Sequence, residues 1–252
     1  MNEARYGTPS HLFGAKFHAI GMQDTVHWID TRISARRFTQ HVVINVAKLV
    51  SMQKNAALAE SVNGCDIVNV DGMGVVWGAR WLGKSVPERV AGVDLFEELI
   101  ALAASRGYPV YLLGGVEGVA DAVAVRLRGQ HPTLQIAGIH HGYFWEDEAA
   151  MVDTIRQSGA RMLFVAITSP RKEVFIQRWR TGLGVDFVMG VGGTFDVVAG
   201  RIKRAPRWMQ RTGLEWLFRL AQEPRRMWRR YLGTNAVFAW MLLKAKTRRT
   251  RS

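Results

Sequence analysis

The stretch DIVNVDGMGVVWGARWLG, residues 66–83, runs through a short apolar strand, ends it on the carboxylate of Asp71, turns on two glycines and becomes helical. The apolar residues of DIVNVD do not alternate with polar ones, so both faces of this strand are expected to be covered. The same grammar recurs on either side. HVVINV (41–46), PVYLLGG (109–115), RMLFVAIT (161–168) and DFVMGVGG (186–193) read as strands, and LQIAGIHHGYF (134–144) starts as a strand and ends as a loop. Helical patterns lie between them. AKLVSMQKNAALAESV (47–62) reads as one helix with Leu49, Met52, Ala56 and Ala59 on a stripe. Asp94 is placed to cap LFEELIALAASRG, which stops at Gly107. VEGVADAVAVRLRGQ, EDEAAMVDTIRQSG and PRKEVFIQRWR complete the set, the last with Ser169 at the cap and Pro170 at the first helical position. Strands without alternation, joined by helices, predict an α/β fold: a Rossmann-like parallel sheet with helices on both faces. Residues 1–30 are poorly periodic and are expected to wrap the surface.

Composition narrows the class. The chain has 252 residues, 48% of them hydrophobic, enough for a substantial core and against global disorder. A single cysteine, Cys65, permits no internal disulfide framework and reads as a small residue ahead of a buried strand. The opening MNEARYGTPSHLFGAKFHAI has no continuous apolar stretch of the secretory kind. No window reads as a transmembrane helix, and a cytoplasmic protein is expected. The net charge of +13 resides wholly in residues 201–252, which hold 15 Lys+Arg against Glu215 and Glu223. Residues 1–200 thus read as a neutral core and residues 201–252 as a basic helical C-terminal appendage.

In parallel sheets of this kind, ligands bind beyond the carboxyl ends of the strands, at a topological switch point. Asp71, Gly114-Gly115, Thr168-Ser169 and Gly192-Gly193 all fall at such ends. YLLGGVEGVAD (111–121) matches neither the dinucleotide fingerprint nor the P-loop, and reads equally as a tight turn or a phosphate-binding turn. In VGGTFDVVAG (191–200), Asp196 is placed to accept hydrogen bonds from ribose hydroxyls, or to serve as a cap. Thr168, Ser169 and the following helix start suit a phosphate or sugar, with Arg171 and Lys172 adding charge. Asp71 suits a general base, and Arg89 suits either a cation that keeps it ionised or a bidentate diphosphate ligand; the alternatives are an Asp-Gly turn and a surface arginine. His140 and His141 are chain neighbours pointing to opposite sides, so no metal site is read.

The C-terminal segment interleaves arginine with Trp208, Trp216, Phe218, Trp228, Tyr231 and Trp240. Leu214, Leu217, Phe218 and Ala221 make one helical stripe. Tryptophan and arginine on amphipathic helices suit an anionic membrane surface. Packing on the core and nucleic-acid binding are weighed below that, and nucleic acid is the least favoured. Removing residues after about 205 is expected to free the protein from anionic vesicles.

Taken together, NVDGMGVVWGARWLGKSVPERVAGVDL, VYLLGG, GYF, TSPRKE, GVGGTFDVVAG and KRAPRWMQRTGLEWLFRLAQEPRRMWRRYL resemble the WecG/TagA/CpsF glycosyltransferases (glycosyltransferase family 26), from about residue 15 to 243. The resemblance implies a metal-free inverting transferase with no cofactor beyond its substrates. It would move a sugar from a UDP-sugar to a polyprenyl-diphosphate-linked saccharide in bacterial surface polysaccharide synthesis. It would be peripheral on the inner face of the plasma membrane, with the appendage touching lipid and helping complete the site. Asp71 then takes the place of the catalytic aspartate, Arg89 steadies a diphosphate, and Asp196 lies near the donor ribose. The donor set is expected to be Asn45, Gly114, Gly115, Thr168, Ser169, Lys172, Gly193 and Asp196. Arg201, Lys203, Arg204, Arg207, Trp208 and Arg211 are expected to meet the acceptor diphosphate or the membrane. Two departures bear on the donor sugar: Val43 stands where many members carry threonine, and Arg171-Lys172 where many carry Lys-Gln. Both an amino sugar and a neutral hexose therefore stay open, as does a homo-oligomer. A membrane-docked nucleotide-binding scaffold without catalysis is the alternative. A nicotinamide oxidoreductase is rejected, since no glycine follows HVVINV.

Overall fold

The computed structural model describes residues 6–249, apart from the side chains of residues 211, 226, 227, 229–231, 248 and 249. Near the N terminus β1 (Ser10–Leu12) and β2 (Ala15–Phe17) pair as an antiparallel hairpin, followed by α1 (Met22–Ser34). The sheet then forms from β3 (Thr39–Ile44), β4 (Ile67–Val70), β5 (Val110–Gly114), β6 (Ile136–His140), β7 (Met162–Ala166) and β8 (Phe187–Gly190). Its spatial order is β4-β3-β8-β7-β5-β6, and every neighbouring pair is parallel. β4, β5 and β7 are buried along their whole length, which is why their sequences are continuous apolar runs.

Helices cover both faces. On one, α1 packs with α5 (Gly92–Arg106), α6 (Val119–Gln130) and α9 (Thr194–Val198) around Phe96, Phe164, Phe187 and Phe195. The other face carries two clusters. α2 (Val46–Met52), α3 (Ala56–Gly64) and α4 (Met73–Trp81) cover β3 and β4, while α7 (Glu148–Gln157) and α8 (Arg171–Arg178) cover β7. The appendage continues as α10 (Arg207–Arg211), α11 (Glu215–Gln222) and the long α12 (Pro224–Arg249).

Four expectations are corrected. Residues 10–34 are not a surface wrap: Phe17, Trp28, Ile29 and Ile33 are core residues, and Asn69 of β4 donates to Thr25 of α1 at 3.0 Å. The helix expected over 47–62 is two helices. Asn45 and Asn55 each accept an amide three residues on, at 2.9 Å, and so start separate helices. Leu58 and Val62, rather than the exposed Ala56, carry the buried face of the second. Asp94 lies inside the first turn of α5, with Ala91 at its cap, and α8 is capped by Pro170 rather than Ser169.

The appendage packs on the core in part. Phe238 is buried, with Met241, Leu242 and Ala245 partly so, against the cluster beneath α4. A Cβ built on Gly78 of α4 would lie 2.9 Å from the Phe238 ring, so glycine at 78 lets α12 approach closely. Deleting everything after residue 205 would therefore strip a buried aromatic from the core as well as any membrane contact. Among the described residues no helix is long and apolar enough to cross a membrane.

Candidate active site

The carboxyl ends of β3, β4, β5, β7 and β8 open onto one cleft of about 830 Å³. Each end contributes what its sequence provides: Asn45 after β3, Asp71 after β4, Gly115 after β5, Thr168 and Ser169 after β7, Gly193 and Asp196 after β8. Gly114 sits just behind this wall. Its φ of +127° and a Cβ position only 2.5 Å from the Ala166 carbonyl oxygen admit no side chain there. The close approach of β5 to β7 is what lets the Gly115 amide bond the Ala166 carbonyl at 2.9 Å and shape the turn.

Asp71 occupies the tip of β4 because its amide still donates to the Ile44 carbonyl, at 2.8 Å, continuing the sheet ladder by one residue. The loop after α4 then returns alongside, fixed by the Val90 amide on the Val70 carbonyl at 2.9 Å. That return brings Arg89 Nη1 to 3.9 Å from Asp71 Oδ1, and the Gly92 amide to 3.4 Å from Oδ2. The Asp71 side chain is 27% exposed, set into the cleft wall rather than buried behind it. Burial raises its pKa above the ordinary carboxylate value. Arg89 opposes that rise, Glu215 adds to it, and the Gly92 amide and Arg219 oppose it in turn.

Glu215, from the start of α11, takes Arg89 Nη1 at 2.9 Å. Arg89 and Glu215 do not line the cleft themselves, whereas Arg219 and Thr234, from α11 and α12, do. The appendage thus reaches the site through Arg219 and Thr234. Arg201, Lys203, Arg207 and Trp208 are exposed and do not line the cleft, and Arg204 is ion-paired with Asp94. The side chain of Arg211 lies outside the described residues, as does that of Tyr231. Nearness in sequence to the core suggested residues 201–211; the cleft itself is lined from the appendage by the later Arg219 and Thr234. Leu217 and Ala221, expected on an apolar stripe, are exposed, and α11 has no buried residue.

On the other wall, Asn45 Oδ1 accepts the Lys48 amide at 2.9 Å, which fixes the side chain at the cleft. Lys172 lines the cleft as expected, beside Lys48, which sequence reasoning missed. Arg171 stacks over Trp145 at 4.8 Å on the same rim. His140 and His141 are held by local bonds, and among the described residues no three His, Cys, Asp or Glu side chains converge to hold a metal.

The family model described as "Glycosyl transferase WecG/TagA/CpsF family" matches residues 10–252. The chain belongs to that family and is a glycosyltransferase, with a nucleotide-sugar donor and a lipid-linked acceptor in general terms, acting in cell-surface polysaccharide synthesis.

Proposed function

We propose that this member of the WecG/TagA/CpsF family transfers a sugar from UDP to a polyprenyl-diphosphate-linked saccharide, with inversion and without a metal. The observation that carries the reading is the Asp71 carboxylate, open to the cleft and 3.9 Å from the Arg89 guanidinium. In a single displacement, Asp71 takes the proton of the acceptor hydroxyl. That oxygen bonds the anomeric carbon as the bond to the UDP oxygen breaks, and UDP leaves with the electron pair. The charge developing on the leaving diphosphate is met by cations and helix N-termini at the strand ends. Arg89 steadies the acceptor diphosphate, which must share or displace Glu215.

The membrane half of the reading is supported by the appendage. Trp208, Trp216, Trp228 and Trp240 are each more than 40% exposed there, among many arginines. The test is a panel of UDP-sugars offered with a lipid-diphosphate acceptor and read by product mass. One donor is expected to give a product one sugar heavier, with stoichiometric UDP release. Nucleotide binding without acceptor-dependent release for any donor would make the chain a scaffold.

The charges around Asp71 give a pH prediction. Activity requires the ionised carboxylate, and its raised pKa means that activity is lost on acidification earlier than for an ordinary aspartate. Glu215 contributes to that rise. Glu215→Gln is therefore expected to move the acid limb of the kcat/KM profile to lower pH. An unmoved limb would show that Asp71 is not the titrating base or that Glu215 does not face it in solution.

A further inference from the structure

Two lysines converge on one buried carboxylate at the wall of the cleft. Lys48 Nζ lies 2.9 Å and Lys172 Nζ 3.1 Å from the same oxygen, Glu173 Oε1. The three side chains are 10%, 8% and 3% exposed respectively. The two lysines are part of the cleft wall and Glu173 is not, so their side chains stand between the buried carboxylate and a ligand. The arrangement is built into the backbone. Lys172 crosses β8 at Gly190, where an added Cβ would come within 2.8 Å of both Lys172 Cδ and Cε. Lys48 is fixed by the Asn45 cap on its own amide. Glu173 is held ionised, its pKa lowered to about 2: the two lysines outweigh its burial.

An ammonium has three N–H donors, and holding two of them this far from water is costly unless anions share them. We propose that the Lys48–Glu173–Lys172 cluster is a binding site for an anionic group of the donor, with Lys172 and Lys48 as direct ligands and Glu173 as the positioning residue that aims both. This rests on the transferase reading above and extends it to a named charge at a named wall. Two donor groups share the required chemistry, the diphosphate of the nucleotide and the carboxylate of an acidic sugar. Lysine at 172 supplies a charge that a neutral amide there would not.

The test measures equilibrium binding of inorganic pyrophosphate, uridine, UDP, UDP-glucose and UDP-glucuronate to the full chain. Wild type is compared with Lys48→Met, Lys172→Met and Lys172→Arg, each first checked for an unchanged thermal transition. Methionine keeps the apolar stem and leaves Glu173 paired with the remaining lysine. Uridine affinity is expected to stay within twofold. If the diphosphate is the partner, each methionine variant loses at least tenfold for pyrophosphate and UDP, with recovery in Lys172→Arg. If the sugar carboxylate is the partner, the loss is confined to UDP-glucuronate. Folded methionine variants that bind all five probes like wild type would overturn the proposal. Wild-type binding of pyrophosphate that the methionine variants lose, with no binding of UDP or either UDP-sugar, would leave the anion site standing while sinking the UDP-sugar reading. Binding of none of the five would sink both.

Discussion

Asp71→Asn is expected to lower transfer by about 100- to 10,000-fold, the range for loss of a positioned general base, while leaving UDP binding within a few-fold of wild type. The exchange is nearly isosteric. A carboxamide oxygen can still accept from the Gly92 amide, and Arg89 keeps its closer partner, Glu215, at 2.9 Å. What disappears is the ability to take a proton from the acceptor hydroxyl. The loss should therefore appear in turnover at saturating donor, not in donor affinity. Two measurements check it: acceptor-dependent UDP release, and UDP binding by the same preparation. Near-normal turnover in the variant would remove Asp71 from the role of base, and with it the mechanism proposed for the cleft.

The site was legible in the sequence to the extent that backbone topology made it so. A buried parallel strand must end where its ladder ends, and glycine or a polar residue marks that point. Reading strand ends thus located Asp71, Gly115, Thr168, Ser169, Gly193 and Asp196, all of which line one cleft. The Asp71–Arg89 approach was legible as a pairing of types, but the Val90–Val70 bond that enforces it was not. α1 was missed because polar residues share its buried face: Thr25, Asp30 and Arg32 are buried beside Trp28, Ile29 and Ile33, which blurs the helical period. The break between α2 and α3 was missed because an asparagine inside a periodic run was read as one more helical residue, not as a cap. The Lys48–Glu173 contact joins residues 125 positions apart and has no local signature. In the appendage, composition identified a basic aromatic surface but not which residues fold back. Arg219 lines the cleft and Glu215 pairs with Arg89 through long-range contacts that hydrophobic periodicity does not encode.

The appendage also carries the second large effect. On α12 the buried stripe is Phe238, Met241, Leu242 and Ala245, while Trp228, Leu232, Trp240 and Leu243 fall on a different stripe by helical geometry. Leu232, Trp240 and Leu243 are 66%, 67% and 52% exposed. Among the described residues of α12, one apolar stripe packs on the core, and Leu232, Trp240 and Leu243 of the other are each more than half exposed. An uncovered stripe beside Lys244 and Lys246 has the make-up of an interfacial element, with rings at the acyl boundary and ammoniums at the headgroups. The triple variant Leu232→Gln, Trp240→Gln, Leu243→Gln removes apolar surface without touching the docking face. Each side chain, half immersed, contributes about 1 kcal/mol, so partition onto anionic vesicles should fall by roughly 100-fold. The thermal transition should stay in place, since none of the three packs in the core. Sedimentation with phosphatidylglycerol-containing vesicles, at low and high salt, separates the two contributions. The residual binding of the variant should be charge-driven and vanish at high salt, whereas wild type retains part of its binding there. Unchanged sedimentation of the variant would mean that the exposed stripe meets something other than lipid, and that membrane contact, if any, is made by charge alone.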